Sequence, residues 1–303
     1  MSALDLVLHV LVALVAPPML LGLIVKTKAQ FAGRVGAPVL QPWYDLLKLV
    51  RKGAVLSTTT TWVFRAGPVV GLVTSLLALL VVPLGAHAAP LPFAGDLVLF
   101  GYLLGLGRFF TVAAALDTGS AFEGMGGARE ATFSALAEPG LFLGLMVLVR
   151  ASGSMSLSVM LGEGLASAWA SSGGALVFVA LSLGVVLLVE NSRVPFDDPS
   201  THLELTMVHE VMVLDHSGPA LGMILYGASV KLFVLGAVLV RVLAPVSTGS
   251  ALGDWGVFLG AMALLAVAVG VVESVMARLR LLHVPQLLVA AGLLSAFGVF
   301  LAR

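Results

Sequence analysis

No cysteine occurs anywhere in the 303 residues. Its absence excludes disulfides, thiolate-held zinc and an iron–sulfur cluster ligated by this chain in the usual way. If the chain serves a redox system, electrons must run through a partner. Charge is nearly as scarce. Charged residues make up 11% of the chain, and sixteen basic against sixteen acidic side chains leave no net charge, so there is no electrostatic footprint for nucleic acid. The apolar runs lack the alternation of a barrel strand. No basic stretch precedes the first run, as a cleaved secretory signal would require, and the two halves show no repeat of the kind found in many secondary transporters. What is abundant is hydrocarbon. With 59% apolar residues and a mean hydropathy of +1.09, the chain has too little polar surface for a soluble globule of its size.

The composition implies an all-α integral membrane protein, a single transmembrane domain over residues 1–303. Spanning runs are expected at Leu4–Val25, read as a retained first helix, and at Ala66–Ala86, Leu97–Leu116, Ala131–Arg150, Gly174–Glu190, Pro219–Leu243, Trp255–Val275 and Pro285–Leu301. These eight runs are each close to the length that crosses a bilayer. Lys26, Lys28, Arg34, Lys48, Arg51, Lys52, Arg65, Arg129, Arg193, Arg278 and Arg280 gather on one side of this arrangement, against Arg150, Arg241 and Arg303 on the other. The positive-inside bias then places both termini outside and the loops 26–65, 117–131, 190–218 and 276–284 in the cytoplasm. Pro42 is suited to the first turn of a short amphipathic helix in the first of these loops. It would place Trp43, Tyr44, Leu46, Leu47 and Val50 on one face and Asp45, Lys48 and Lys52 on the other. Such a helix either anchors the loop in the headgroup region or offers a docking platform.

Residues 190–218, ENSRVPFDDPSTHLELTMVHEVMVLDHSG, concentrate acids in an otherwise lipid-soluble chain. A charge at the bilayer centre costs roughly 2.5–3.5 kcal/mol on insertion scales, so this segment belongs in water or inside protein. Arg108, Asp117, Glu130, Glu138, Glu190, Lys231 and Glu273 lie within or at the edge of the spans. Glu273, near an inner end, is expected to snorkel. Arg108 and Lys231 each require a carboxylate partner or a wet cavity. Glu130 and Glu138, about 12 Å apart along one helix axis, are placed to line a polar route, although charges of this kind also serve simply to pair helices. His202, His209 and His216 do not have the HExxH spacing of a zinc protease, so no metal site is expected. Gly124, Gly126 and Gly127 follow no strand and are expected to form a turn before the fourth helix.

Three stretches, Gly33 to Lys52 (GRVGAPVLQPWYDLLKLVRK), Gly124 to Pro139 (GMGGAREATFSALAEP) and Glu190 to Gly218, resemble subunit 1 of respiratory complex I. The resemblance is closer to the membrane subunit of energy-converting [NiFe]-hydrogenases of the hydrogenase-4 and formate hydrogenlyase type. It covers the whole chain and implies the same eight helices in a prokaryotic cytoplasmic membrane. It also implies a non-catalytic subunit that anchors a hydrophilic electron-transfer module and links its redox chemistry to proton or sodium movement. On this resemblance Glu130, Glu138, Glu190, Arg193, Asp197 and Asp198 belong to an ion route, with Glu204, Glu210 and Asp215 on the loop beneath; Arg108 and Lys231 join these ion-route candidates as charges inside the spans. Arg34, Gln41, Pro42, Trp43, Asp45, Lys48, Arg129, His202 and His209 are the docking candidates. The implied partners are hydrogenase large and small subunits, carrying the nickel–iron centre and iron–sulfur clusters, and antiporter-like membrane subunits. Ser200, Thr201 and His202 stand where quinone-using relatives carry further acids, and THLELTMVHE is similar to the hydrogenase branch. The competing readings are the quinone-site subunit of a complex I-like NADH dehydrogenase and, more distantly, a stand-alone secondary transporter.

Overall fold

In lipid the backbone finds no water to bond to, so a continuous apolar run satisfies its own N–H and C=O groups by coiling. The computed structural model describes residues 3–197 and 207–302, and there each apolar run is a helix. The order is α1 (Ala3–Phe31), α2 (Gln41–Arg51), α3 (Trp62–Val81), α4 (Asp96–Asp117), α5 (Ala121–Ser152), α6 (Leu157–Met160), α7 (Gly164–Glu190), a 3₁₀ turn (Glu210–Val213), α8 (Gly218–Leu243), α9 (Ala251–Val275) and α10 (Val284–Leu301). Eight of these, all but α2 and α6, are long and apolar enough to cross a membrane. The chain is a multi-pass membrane protein.

The most enclosed helix is α8, which packs against α1, α2, α3, α7 and α9, while α10 closes the far side against α5 and α7. Contacts between helix ends fix the direction of each pass. At one end His87 pairs with Asp5 and stacks on Trp255, and Arg150 bonds to Val299 O. Asp96 accepts from Leu157 N at 2.6 Å and from the Ser156 hydroxyl at 3.0 Å. Both ends of the described chain lie here. Arg241 is held at this end too, donating to the carbonyls of Leu161 and Val246, so its charge is shared among peptide dipoles. At the opposite end Asp117 accepts from Thr61 N and Phe64 N, satisfying the free N–H groups at the start of α3. That end carries the basic connections.

Two helices start earlier than the apolar runs suggest. Helix α5 begins at Ala121, not Ala131, so Gly124, Gly126 and Gly127 are helical and do not form the expected turn. The reason is close packing. A Cβ on Gly126 would overlap Val211, Met212 and the carbonyl of Val208, so only glycine lets the 207–213 segment lie directly on the helix. Helix α7 begins at Gly164 and bends at Ser172, where φ is −135° and ψ is 32°, and its small-residue start ASAWASSGG lies within the helix.

Helix α2 forms where expected, with Pro42 in its first turn. Its apolar residues divide, however. The Trp43 indole N–H donates to Val15 O at 3.2 Å and the ring lies 5.8 Å from that of Tyr226, so Trp43 faces the bundle. Tyr44, Leu47 and Val50, assigned to the same face from the sequence, are exposed. Gln41 and Asp45 bond to one another along the polar side.

Candidate functional site

Arg108 lies in the middle third of α4, where a guanidinium facing lipid would be expensive. It turns inward to three carboxylates on two other helices. One amino nitrogen is 2.7 Å from Glu138 of α5, the other is 2.7 Å from Glu190 at the end of α7, and Nε is 3.9 Å from Glu130 of α5. Lys231 of α8 approaches the second oxygen of Glu190 at 3.7 Å. Four helices are thus tied by one charge cluster. Glu130 and Glu190 are buried, whereas the Glu138 side chain is 45% exposed on the flank of the bundle. The fork of Arg108 suits this task because its donors reach two carboxylates at once, which an ammonium cannot do with the same geometry.

A cavity of about 90 Å³ opens beside the cluster, lined by Arg108, Glu130, Glu190 and Lys231 and by Thr74, Ser75, Thr111 and His209. Arg108 Nε and Glu190 Oε2 are buried without a hydrogen-bond partner in the protein. Such atoms call for water. The space is large enough for several water molecules.

A second cluster lies at the basic end. Glu273 of α9 is 2.9 Å from Lys28 of α1 and 3.3 Å from Arg193 on the segment after α7. Its side chain has no exposure, so it does not snorkel as expected: it turns inward to two cations instead. Nearby, Asp197 pairs with Arg278 at 2.9 Å and accepts from Val208 N and His209 N at 3.0 and 3.1 Å. Arg129 donates to Met207 O at 2.8 Å, and Glu123 accepts from Asp215 N at 3.0 Å. The described part of the acidic segment is therefore pinned to α5 and to the chain after α9.

The site residues expected from the sequence divide accordingly. Arg108, Glu130, Glu138, Glu190 and Lys231 come together, Arg193 and Asp197 join separate pairs, and Glu210 and Asp215 lie beside the 3₁₀ turn. Asp198, His202 and Glu204 lie outside the described residues. Of the docking candidates, Arg34, Asp45 and Lys48 are exposed, while Trp43 and Arg129 spend their donors on bonds within the chain. His209 faces the cavity, and burial together with Lys231 and Arg193 lowers its pKa to about 4. His216 stacks on Phe64 with ring centres 3.9 Å apart, and burial lowers its pKa to about 4 against the opposing pull of Asp215. Lys28, Glu123 and Arg278 were missed, because each finds its partner far away in the sequence. Among the described residues no three His, Cys, Asp or Glu side chains gather as a metal site.

A bundle of eight apolar helices around a buried Arg–carboxylate cluster, with a loop folded back on its basic end, defines a class of membrane subunit. The family model described as NADH dehydrogenase (NADHdh) matches residues 4–302, and the chain belongs to that family, the complex I subunit 1 family. It is 32% identical over 309 residues to formate hydrogenlyase subunit 4 of Escherichia coli K12, covering 100% of this chain and 99% of that protein. It is 31% identical over 277 residues to hydrogenase-4 component C of the same organism, covering 89% and 86% respectively. Among solved structures, a chain of the membrane-bound sulfane sulfur reductase, an archaeal respiratory membrane complex, superposes with a TM-score of 0.84 at 21% identity over 99% of both chains. That likeness supports the fold.

Proposed function

We propose that this chain is the membrane-anchoring and coupling subunit of an energy-converting hydrogenase-type complex. Its basic end faces the cytoplasm and docks a hydrophilic electron-transfer module that carries the nickel–iron and iron–sulfur centres. The buried carboxylates link that module's redox chemistry to movement of protons or sodium ions through antiporter-like membrane subunits. Helix α2 lies in the interface, with Tyr44, Leu47 and Val50 at the headgroup level and Lys48 and Arg51 towards the phosphates. The observation that carries the reading is the Arg108 cluster, in which Arg108, Glu130, Glu190 and Lys231 line a space sized for water and Glu138 pairs with Arg108 beside it. Ionisable groups gathered inside a bilayer are costly to keep there and characteristically mark ion pathways. Glu138 extends it to the flank, where a neighbouring membrane subunit would receive the ion.

The first test is composition: the tagged protein, extracted in mild detergent, should bring nickel–iron hydrogenase subunits with it by mass spectrometry. Quinone-linked NADH dehydrogenase subunits would overturn the hydrogenase assignment, and recovery of the chain alone would favour a transporter. The second is function. Glu138→Gln should leave the complex assembled and turning over electrons while ion movement per electron falls. Unchanged ion movement would remove Glu138 from the route.

A further inference from the structure

The cavity at Arg108 meets the segment between α7 and α8 through one ionisable side chain among the described residues. Of the lining residues contributed by the described part of 191–217, namely Asn191, Ser192, His209 and Met212, only His209 carries a group able to pass a proton from one nitrogen to another. Resting on the coupling reading above, we propose that His209 is the proton relay between the water of the Arg108 cavity and the basic, loop-covered end of the bundle.

Three observations meet at this residue. First, its position is fixed from both sides. Its own N–H and that of Val208 are held by Asp197, which is itself paired with Arg278, and the preceding Met207 carbonyl is held by Arg129. The imidazole is therefore presented to the cavity by a braced backbone, the condition for repeated transfer through one geometry. Second, no side-chain hydrogen bond ties either ring nitrogen to the described residues, so neither is committed to a protein partner. His9, by contrast, is tied to Leu79 O. Third, the cavity already holds polar atoms that need water, Arg108 Nε and Glu190 Oε2, so a hydrated path on the inner side of the ring is called for independently.

The electrostatics suit passage over storage. Burial, with Lys231 and Arg193 behind it, opposes an imidazolium here and leaves the ring neutral at rest. A proton arriving from loop-side water binds one ring nitrogen, and the proton on the other nitrogen leaves to cavity water beside Glu130 and Glu190. Charge and atoms balance without any electron transfer, and ring rotation restores the starting tautomer.

The test uses the intact complex in liposomes, driven by its own electron donor, with lumenal pH as the readout. His209→Gln and His209→Ala should keep subunit composition while proton movement per electron falls by about a hundredfold or more, the range typical for loss of one acid–base group. Free imidazole should restore movement in the Ala variant and not in the Gln variant, whose amide fills the space. A structural prop would show no such rescue, so loss without rescue overturns the relay. Glu138→Gln, measured alongside, separates the two ideas. Coupling lost there but intact in His209→Gln overturns the relay and leaves the coupling reading standing. Coupling intact in both overturns both. Sodium movement without a pH change in the unmodified complex also overturns the relay alone.

Discussion

Replacing Arg108 with Ala removes the one group that touches Glu138, Glu190 and Glu130 together. The three contacts are not equal. Glu190, at 2.7 Å and with its side chain 2% exposed, is left with Lys231 at 3.7 Å as its sole remaining cation, whereas Glu138, also at 2.7 Å, is 45% exposed. Breaking a buried pair by removing one partner costs about 3–5 kcal/mol, while an exposed pair is worth about 0–1 kcal/mol. Nearly all of the loss should therefore sit on Glu190. At about 2–4 °C per kcal/mol for a chain of comparable size, the unfolding midpoint in detergent should drop by roughly 6–20 °C. Second-site changes locate the cost. Adding Glu190→Gln to Arg108→Ala should recover much of the midpoint because it removes the stranded charge, and adding Glu138→Gln should recover little. Arg108→Lys should fall between, keeping charge but losing the fork. A midpoint within about 1–2 °C of the unmodified protein, or equal rescue by both glutamine changes, would refute this account of the cluster.

Gly126→Ala should displace the 207–213 segment, at about 1–3 kcal/mol for overpacking, and limited proteolysis should cut there faster; Gly124→Ala, whose Cβ meets nothing nearer than Leu116 at 3.9 Å, should leave the pattern unchanged. Asp96→Ala strands the buried N–H of Leu157 and the Ser156 hydroxyl, at about 1–3 kcal/mol for each donor, and should lower the detergent midpoint with no effect on subunit association at the basic end. His209 and His216 carry lowered pKa values of about 4 against 6.5 when unfolded. The unfolded state then binds more protons between these limits, so their contribution to stability is full above pH 6.5 and is lost as pH falls towards 4. Midpoints measured across that window should fall with acid, and His216→Phe, which keeps the stack on Phe64, should flatten part of the slope.

Much of the fold was legible because lipid imposes a simple code: the eight apolar runs, the amphipathic α2 and the need of Arg108 and Lys231 for partners all follow from the cost of burying charge and bare backbone. The starts of α5 and α7 were not legible. Glycine and serine signal turns in water, yet inside a bundle they mark close approach, as Gly126 does beneath Val211 and Met212. Nor was Glu273 legible. A carboxylate near a helix end reads as snorkelling unless its cations are known, and Lys28 and Arg193 come from distant parts of the chain. The cluster itself was half visible: its members could be named, but not which oxygen met which nitrogen.

The two buried clusters are oppositely unbalanced. Around Arg108 three carboxylates, Glu130, Glu138 and Glu190, meet two cations, Arg108 and Lys231. Around Glu273 one carboxylate meets two cations, Lys28 and Arg193. The first has one negative charge unmatched and the second one positive charge, and Arg193 stands three residues after Glu190, so a single short segment joins the deficit to the excess. Two unit charges 4 Å apart interact by about 4 kcal/mol at an effective dielectric of 20, enough to decide whether a nearby proton or cation stays. A partner that shifted this segment would move Arg193 relative to both clusters and change the field at the cavity without touching it. Glu273→Gln tests the connection. With its anion gone, Arg193 should be free to lean towards Glu190, and ion movement per electron in the intact complex should change although the mutated side chain lies outside the cavity lining. An unchanged ratio would show that the two clusters act separately.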